Sequence, residues 1–422
     1  MESNLPKIIE SLSSLLQIDS VKTEKLDDKP FGEGVFRALD YSLNLAKEMG
    51  FETYNYSNYI GEVVWGKGES IAILCHLDVV PVGDETKWKH PPFSATLYNG
   101  EIYARGALDD KGPFIATLYA LKRLKDEGFL PNKEIRLILG CDEESGWGCI
   151  KHYKTIRDLP ETGFSPDASF PVIYAEKGIL HAKFFFDYDE KLLFDLKGGV
   201  ASNVVCDKAT ASCKIDEILI DKYGLNLVDG EVESLGISAH GSEPDKGVNA
   251  IKNLILYLNE INAVNRAIYE LLFEDKLKLK AFCDQTGNLT MSPNVIKIEN
   301  GKISITVDFR YPATLNFDEI FETIKKIAPL EVLSHQKPLF NDIESPLIQT
   351  LNKVYEKHTG KTCKPIAIGG GTYARALKLG AGFGPETEDD ENLCHQPNER
   401  ISVEKLEFLE KVYHDAIKEL SK

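Results

Sequence analysis

The chain has 422 residues, too many for one ordinary hydrophobic core, so we expect two or three domains. Hydrophobic residues make up 43% of it and charged residues 27%, which argues against a disordered or fibrous protein. Its 66 acidic residues outnumber 49 Lys and Arg residues and give a net charge of −17, which argues against nucleic-acid and membrane partners.

Neither export nor membrane insertion is predicted. The first twenty residues lack a basic start followed by a long apolar block, and no apolar run approaches the length of a membrane span. The eight cysteines form no CxxC pair and lie mostly in apolar segments. We interpret them as reduced thiols of a cytoplasmic protein.

The first third of the chain alternates strand and helix patterns. Continuous apolar runs predict buried strands at 71–75 and 134–140. A proline in the first turn, an apolar face and a terminal glycine predict a helix over 113–127, and a further helix is predicted over 148–158. This alternation is typical of an α/β domain.

The middle of the chain has a different pattern. Strands are predicted over 181–188 and 302–309, and strict alternation in the second favours antiparallel strands with one solvent-exposed face. Helical patterns accompany them near 247–262, 264–276 and 316–327. We interpret this block as a separate α+β domain.

The α/β pattern resumes near residue 345. A helix over 345–358, a strand over 365–368, a turn at 369–371, another helix and a C-terminal helix from about 402 are predicted. The predicted fold is an α/β domain of residues 1–176 and 344–422, with a mixed, mostly parallel sheet flanked by helices. An α+β domain of residues 177–343 is inserted into it.

Candidate metal ligands follow the predicted strands. His76 and Asp78 follow one strand, and Glu143 and Glu144 follow another, at the strand ends where open α/β sheets collect ligands. Because residues i and i+2 point the same way, Asp78 can accept the second ring N–H of His76. The alternatives are a histidine paired with a loop carbonyl and a solvated acidic turn.

Four other loops carry candidate residues: Asp109 before the helix at 113, Asp167, His240 and His395. Taken singly, each is a polar loop, and Asp also favours helix starts. Taken together, a histidine, an aspartate, the paired glutamates, a further aspartate and a second histidine form an oxygen-rich set with two imidazoles, which suits two divalent ions bridged by one carboxylate. No HExxH, GxSxG or complete phosphate loop is present.

Eight motifs occur along the chain in the following order: HLDVVP at 76–81, RGALDDKGP at 105–113, CDEESGWG at 141–148, SPDASFPV at 165–172, SAHGSEPDKGVNA at 238–250, DFRYP at 308–312, GGGTYAR at 369–375 and CHQPNE at 394–399. Together they resemble the co-catalytic zinc peptidase family of aminoacylase, acetylornithine deacetylase and glutamate carboxypeptidase, and among its members most closely the bacterial PepV-type dipeptidases.

The resemblance implies a role for each matching residue. His76 and Asp167 would hold one metal, Glu144 and His395 the other, and Asp109 would bridge them, with a cis peptide between Asp109 and Asp110. The other implied roles are orientation of His76 by Asp78, general base catalysis by Glu143, oxyanion contact by His240, carboxylate binding by Asn203 and Arg310, and pocket lining by Gly370, Gly371 and Thr372.

The function implied is that of a dipeptidase that uses a metal-bridged hydroxide, two divalent ions and a lid domain to cleave dipeptides with free ends. Zinc is the expected metal, with manganese or cobalt as alternatives. An N-acyl amino acid deacylase or carboxypeptidase of the same family, a metal-free binding module and a nucleotide-binding protein are the alternative functions. The inserted domain is longer than in dimeric relatives, which implies a monomer and leaves a dimer open.

Overall fold

The computed structural model describes residues 4–391 and 393–422. No helix in these ranges is both long and apolar enough to cross a membrane. They contain ten α-helices: α1 Leu5–Leu16, α2 Glu33–Glu48, α3 Lys111–Asp126, α4 Gly148–Tyr153, α5 Glu217–Tyr223, α6 Ala250–Glu260, α7 Ala267–Leu272, α8 Phe317–Ile324, α9 Pro346–Thr359 and α10 Val403–Leu420.

The strands of the described ranges are mostly short. They are β1 Glu52–Tyr56, β2 Ile60–Trp65, β3 Ser70–His76, β4 Thr96–Tyr98, β5 Glu101–Tyr103, β6 Glu134–Gly140, β7 Thr162–Ser165, β8 Ala168–Ser169, β9 Ile173–Glu176, β10 Gly178–Phe186, β11 Leu193–Gly198, β12 Lys208–Cys213, β13 Asn226–Val228, β14 Glu231–Leu235, β15 Cys283–Asp284, β16 Gly287–Asn288, β17 Thr290–Glu299, β18 Lys302–Tyr311, β19 Leu330–Gln336, β20 Leu339–Phe340, β21 Ile366–Ile368, β22 Leu379–Gly382, β23 Pro385–Glu386 and β24 Arg400–Ser402.

The chain divides into two compact units. The first comprises residues 1–174, 341–366 and 371–422, and the second comprises residues 175–340 and 367–370. The second unit therefore interrupts the first in sequence, close to the predicted boundaries at 176/177 and 343/344.

The first unit is built on a mixed sheet with strand order β1-β2-β6-β3-β7-β22-β9. Its three central pairings, β6 with β3, β3 with β7 and β7 with β22, are parallel, and those on either side are antiparallel. Every residue of β3 except Ser70 is buried, as expected for a central strand covered on both faces. The predicted α/β fold is confirmed.

The helices predicted for the first unit are found, two of them shorter than expected, whereas α1 and α2 were not predicted. The helix predicted over 148–158 ends at Tyr153. The helix predicted after the glycine turn is a single 3₁₀ turn, Tyr373–Ala376, because the chain enters β22 at Leu379.

The second unit is an α+β structure. Its main sheet has strand order β13-β14-β12-β11-β17-β18-β10-β19, and every pairing in it is antiparallel. Apolar residues of α6, α7 and α8 form one core with alternate residues of β18, including Ile305, Val307 and Phe309. The predicted inserted α+β fold is confirmed.

The solvent-exposed face predicted for β18 is wrong. Its polar residues Ser304, Thr306, Asp308 and Arg310 are no more than 8% exposed. The alternation of the sequence correctly separates the two faces of the strand. It does not reveal that buried charged groups on the second face pair with each other, as Arg310 and Asp308 do.

A buried carboxylate joins several elements of the first unit. Glu62 on β2 is fully buried, and its two oxygens accept hydrogen bonds from Arg136, Tyr153 (2.8 Å), Arg157 (2.7 Å) and Tyr56 (2.9 Å). A buried carboxylate of this kind stabilises the fold only while it remains paired with positive charge. If it were removed, its cationic partners would be left unpaired and out of contact with water.

We therefore expect Glu62→Gln to lower the free energy of unfolding by about 3–5 kcal/mol, since it leaves the buried Arg136 without a counter-charge. The control is Glu407→Gln, which removes an exposed partner of Lys411 and should cost less than about 1 kcal/mol. Urea denaturation followed by tryptophan fluorescence measures both, and equal losses would contradict a buried ion-pair network.

Candidate active site

The carboxyl ends of three neighbouring parallel strands bring acidic and histidine residues to one edge of the first unit's sheet. β3 ends at His76, β6 ends three residues before Glu143, and β7 ends two residues before Asp167. β3 lies between the other two strands, and His76 pairs with Gly140. This is the sheet edge at which α/β proteins bind ligands.

Asp109, in the loop before α3, lies between two imidazoles. Its Oδ1 is 2.8 Å from Nε2 of His76, and its Oδ2 is 3.0 Å from Nε2 of His395. His76 Nε2 is also 3.5 Å from Asp167, and His395 Nε2 is 3.2 Å from Glu144. The peptide that follows Asp109 is cis, as the resemblance implies.

Two sets of side chains could each hold a cation. Ligand atoms of His76, Asp109 and Glu144 lie within 4.8 Å of one another, and so do those of His76, Glu143 and Asp167. Glu143 is thus as close to this centre as the predicted ligands are. Distance alone does not separate a ligand from a base here.

Burial and mutual repulsion change the charges of this cluster. Burial, together with the charge of Asp109, raises the pKa of Glu144 to about 7. Burial also raises the pKa of Glu143 well above its ordinary value, and burial and Asp109 raise that of Asp167. Although burial opposes it, hydrogen bonding to Asp109 and Glu144 raises the pKa of His395 to about 11. In the absence of a bound metal ion, the acidic and histidine side chains of the cluster thus tend to retain their protons.

These residues fit two divalent ions. They offer carboxylate oxygens and two imidazole nitrogens, the mixed donor set of zinc and manganese sites. One further oxygen, Oδ1 of Asp110, is buried without a hydrogen-bond partner among the described residues. Crowded carboxylates with raised pKa values are what a bound cation would relieve.

The contact predicted between His76 and the Asp78 carboxylate is wrong. His76 Nδ1 lies 2.9 Å from the backbone carbonyl oxygen of Asp78, whereas the nearest carboxylate oxygen is 3.7 Å away. Because a carbonyl can only accept, Nδ1 carries the hydrogen and Nε2 faces the acidic cluster. Asp78 thus orients the ring through its backbone. The prediction assumed that residues 76 and 78 point the same way, as in a strand, but β3 ends at His76.

The carboxylate of Asp78 contacts the acidic loop instead. It accepts hydrogen bonds from the backbone N–H groups of Glu143 (3.1 Å) and Glu144 (3.2 Å). Asp78 is 1% exposed, so these contacts are shielded from water. One residue therefore fixes both His76 and the two glutamates.

Arg105 and Glu399 are two residues of the site that the motif analysis does not single out. Glu399 is fully buried and accepts from Arg105 Nη1 at 2.6 Å. Its other oxygen accepts from the backbone N–H groups of Leu108 (2.9 Å) and Asp109 (3.2 Å). Both residues lie inside motifs quoted above. A charged residue that lies within a motif but has no assigned role is the sequence signal that could have identified them.

The second unit brings together several predicted substrate-binding residues. The backbone N–H of Gly241, next to His240, donates to the carbonyl of Asn203 at 2.7 Å. Arg310 Nη1 donates to the carbonyl of Gly369 at 2.9 Å, next to Gly370. Within the second unit, these contacts join Asn203 to Gly241 and Arg310 to Gly369.

Gly371 and Thr372 belong to the first unit. Gly371 lies against Arg375, since a Cβ there would come within 2.5 Å of Arg375 Nη2. Thr372 is 6% exposed, and its hydroxyl accepts from the N–H of Ala374 at 3.1 Å. The threonine thus caps the following 3₁₀ turn, and the predicted role of both residues in lining a pocket stays a prediction.

The retained protons predict how metal affinity depends on pH. The imidazoles and Glu144 carry raised pKa values, and a divalent ion could be held only by their deprotonated forms. Binding of an ion should therefore release protons and tighten as pH rises through about 7, the pKa of Glu144. Titration calorimetry with Zn²⁺ or Mn²⁺, in buffers of different ionisation enthalpy, measures both effects.

As a control, His358→Ala changes a histidine paired with Asp415 outside the cluster and should release the same number of protons. His395→Ala should release fewer and lose metal. An affinity that is flat or falls with increasing pH would contradict this account of the site.

Known proteins resemble this chain over nearly its whole length. The profile of Peptidase family M20/M25/M40 matches residues 72–419. The protein named "Putative dipeptidase YtjP" of Bacillus subtilis (strain 168) is 37% identical over 453 aligned positions, which cover 98% of this chain and 97% of that protein.

Two solved structures have a similar fold. The di-peptidase Dug1p from Saccharomyces cerevisiae matches with a TM-score of 0.63 at 15% identity, over 100% of this chain and 97% of that one. The M20 family metallo-carboxypeptidase Sso-CP2 from Sulfolobus solfataricus matches with a TM-score of 0.60 at 18% identity, over 99% of both chains. The family match and the close relative decide the assignment: the chain belongs to Peptidase family M20/M25/M40 and is a peptide-bond hydrolase.

Proposed function

We propose that this peptidase is a metal-dependent dipeptidase that cleaves dipeptides with free amino and carboxyl ends. The observation that carries the proposal is the position of Asp109, whose two oxygens face two different imidazoles while further carboxylates surround them. That arrangement suits two divalent ions that share one carboxylate. Zinc is the metal we propose, with manganese or cobalt compatible with the same donors.

The proposed ligands fall into two sets. His76 and Asp167 would hold one ion, Glu144 and His395 the other, and Asp109 would contribute one oxygen to each. When bound, the ions would polarise the scissile carbonyl and lower the pKa of water near it.

Glu143 is the proposed general base. Its carboxylate would take a proton from the attacking water and return it to the nitrogen of the leaving amine as the peptide bond breaks. Burial raises the pKa of Glu143, which makes its carboxylate a stronger base toward the attacking water than an exposed glutamate would be. Asp78 would fix Glu143 through the hydrogen bond to its backbone.

The second unit is proposed to act as a lid that recognises the substrate. His240 would contact the developing oxyanion, and Asn203 and Arg310 would bind the substrate carboxylate. Gly370, Gly371 and Thr372 would line the pocket. Recognition of a free amine beside the acidic cluster and of a carboxylate at the lid would limit the enzyme to short peptides, which agrees with the dipeptidase names of the relatives.

We also propose that the enzyme is a cytoplasmic monomer. Its eight cysteines are unpaired, and five of them are buried, which suits a reducing compartment. The length of the inserted unit, which the resemblance associates with monomeric relatives, supports the second part. Light scattering on the purified chain would measure its oligomeric state.

The adjacent glutamates Glu143 and Glu144 provide a matched test of base against ligand. Glu143→Ala should lower kcat by at least about 10²–10⁴-fold while both ions remain bound, because it removes a proton carrier and no proposed ligand. Glu144→Ala should lose metal together with activity. Metal content by mass spectrometry and kinetics on one dipeptide decide between the roles.

The reverse result, metal loss in Glu143→Ala and full metal in Glu144→Ala, would exchange the two assignments. More than a tenth of wild-type activity in Glu143→Ala would show that another group moves the proton.

A substrate panel tests the proposed specificity. Free dipeptides should be cleaved faster than tripeptides, amine-blocked dipeptides and N-acetyl amino acids, because only they satisfy both charged ends. Arg310→Ala should lower kcat/KM for dipeptides by about 1.5–3 kcal/mol, the usual value of a hydrogen bond between charged groups.

Faster hydrolysis of N-acetyl amino acids than of free dipeptides would replace the dipeptidase with a deacylase. Efficient release of single residues from longer peptides would favour a carboxypeptidase.

A further inference from the structure

Three N–H groups of the Arg310 guanidinium already donate hydrogen bonds within the second unit. Its Nε and Nη2 donate to the two oxygens of Asp308 at 2.7 and 2.8 Å, and its Nη1 donates to the carbonyl of Gly369 at 2.9 Å. An arginine carries five N–H donors, so within the described residues two are left, one on each terminal nitrogen. Two such donors match the two oxygens of a carboxylate.

Asp308 is placed to keep Arg310 in this orientation. It stands two residues before Arg310 on β18, so the two side chains project from the same face of the strand. Asp308 is fully buried and Arg310 is 3% exposed. A buried guanidinium held along one edge by a bidentate carboxylate has little freedom to rotate.

The surroundings of Asp308 keep it charged. Although burial opposes it, the contacts of Asp308 with His181 and Arg310 hold the pKa of its carboxyl below the ordinary value. The Nε2 atom of His181 lies 3.4 Å from Asp308 Oδ2. The carboxylate therefore stays available as an acceptor for Arg310.

The same carboxylate lies against the loop that carries His240. A Cβ added at Gly241 would come within 2.4 Å of Asp308 Oδ2 and within 3.0 Å of the carbonyl oxygen of Asn203. Only a glycine leaves room for this approach. Asp308 is thus in contact with the loop of one proposed substrate-binding residue and with the side chain of another.

We propose that Asp308 is a positioning residue that orients Arg310, so that its two remaining N–H groups form a fixed fork for the carboxylate of the substrate. This inference rests on the proposed function, in which Arg310 binds that carboxylate. The carboxylate of Asp308 binds the guanidinium of Arg310 and does not itself contact the substrate.

The experiment compares a free dipeptide with the same dipeptide carrying a C-terminal amide. In Asp308→Asn, one acceptor and the charge are lost, and KM for the free dipeptide should rise about 10- to 100-fold with little change in kcat. Kinetics on the amide should change little, since it offers no carboxylate. Added to Arg310→Ala, the same substitution should have no further effect on KM.

Asp284→Asn is the matched control, because this carboxylate of the same unit accepts hydrogen bonds from Thr286 and Thr314 and not from Arg310. It should leave both substrates unaffected. If Asp308→Asn does not fold, Gly241→Ala displaces the carboxylate without removing its charge and should raise KM for the free dipeptide selectively.

The outcomes separate the two proposals. A wild-type enzyme that cleaves the amide as well as the free dipeptide contradicts carboxylate recognition and hence the proposed function. A wild type that prefers the free dipeptide, together with an Asp308→Asn variant of unchanged KM, overturns the role of Asp308 alone. An equal loss on both substrates would identify a merely structural ion pair and would overturn that role as well.

Discussion

The first unit depends on one electrostatic constraint, the crowding of carboxylates at the edge of its sheet. Parallel strands end side by side, so residues distant in sequence converge there. Burial strengthens their repulsion because water no longer screens it. In the metal-free protein, raised pKa values at Glu143, Glu144 and Asp167 and charged imidazoles are how the fold tolerates this crowding.

Two further buried groups keep the crowded side chains in place. Asp78 holds His76 through its carbonyl and the acidic loop through its carboxylate. Glu399, paired with Arg105, binds the backbone at Asp109. Backbone contacts of this kind fix the position of a side chain without competing for its charged end. The geometry can therefore persist whether protons or ions occupy the site.

The sequence predicts most of this arrangement, and the misses have identifiable causes. Apolar runs locate β3 and β6, and the rule that ligands gather at strand ends then selects His76, Glu143 and Glu144. The predicted contact between the Asp78 carboxylate and His76 is wrong because the alternation of side chains along β3 stops at His76. Periodicity separates the faces of β18 but does not report pairing between Asp308 and Arg310. The ligand roles themselves remain predictions, because distances between side chains do not identify a bound ion.

The order of the site residues along the chain has a consequence for biosynthesis. His395 follows Asp167 by more than 200 residues, and the whole second unit is translated between them. Until His395 has been translated, the imidazole that lies beside Oδ2 of Asp109 in the folded protein is missing. The cluster of acidic and histidine side chains can therefore be completed only after nearly all of the chain has been translated.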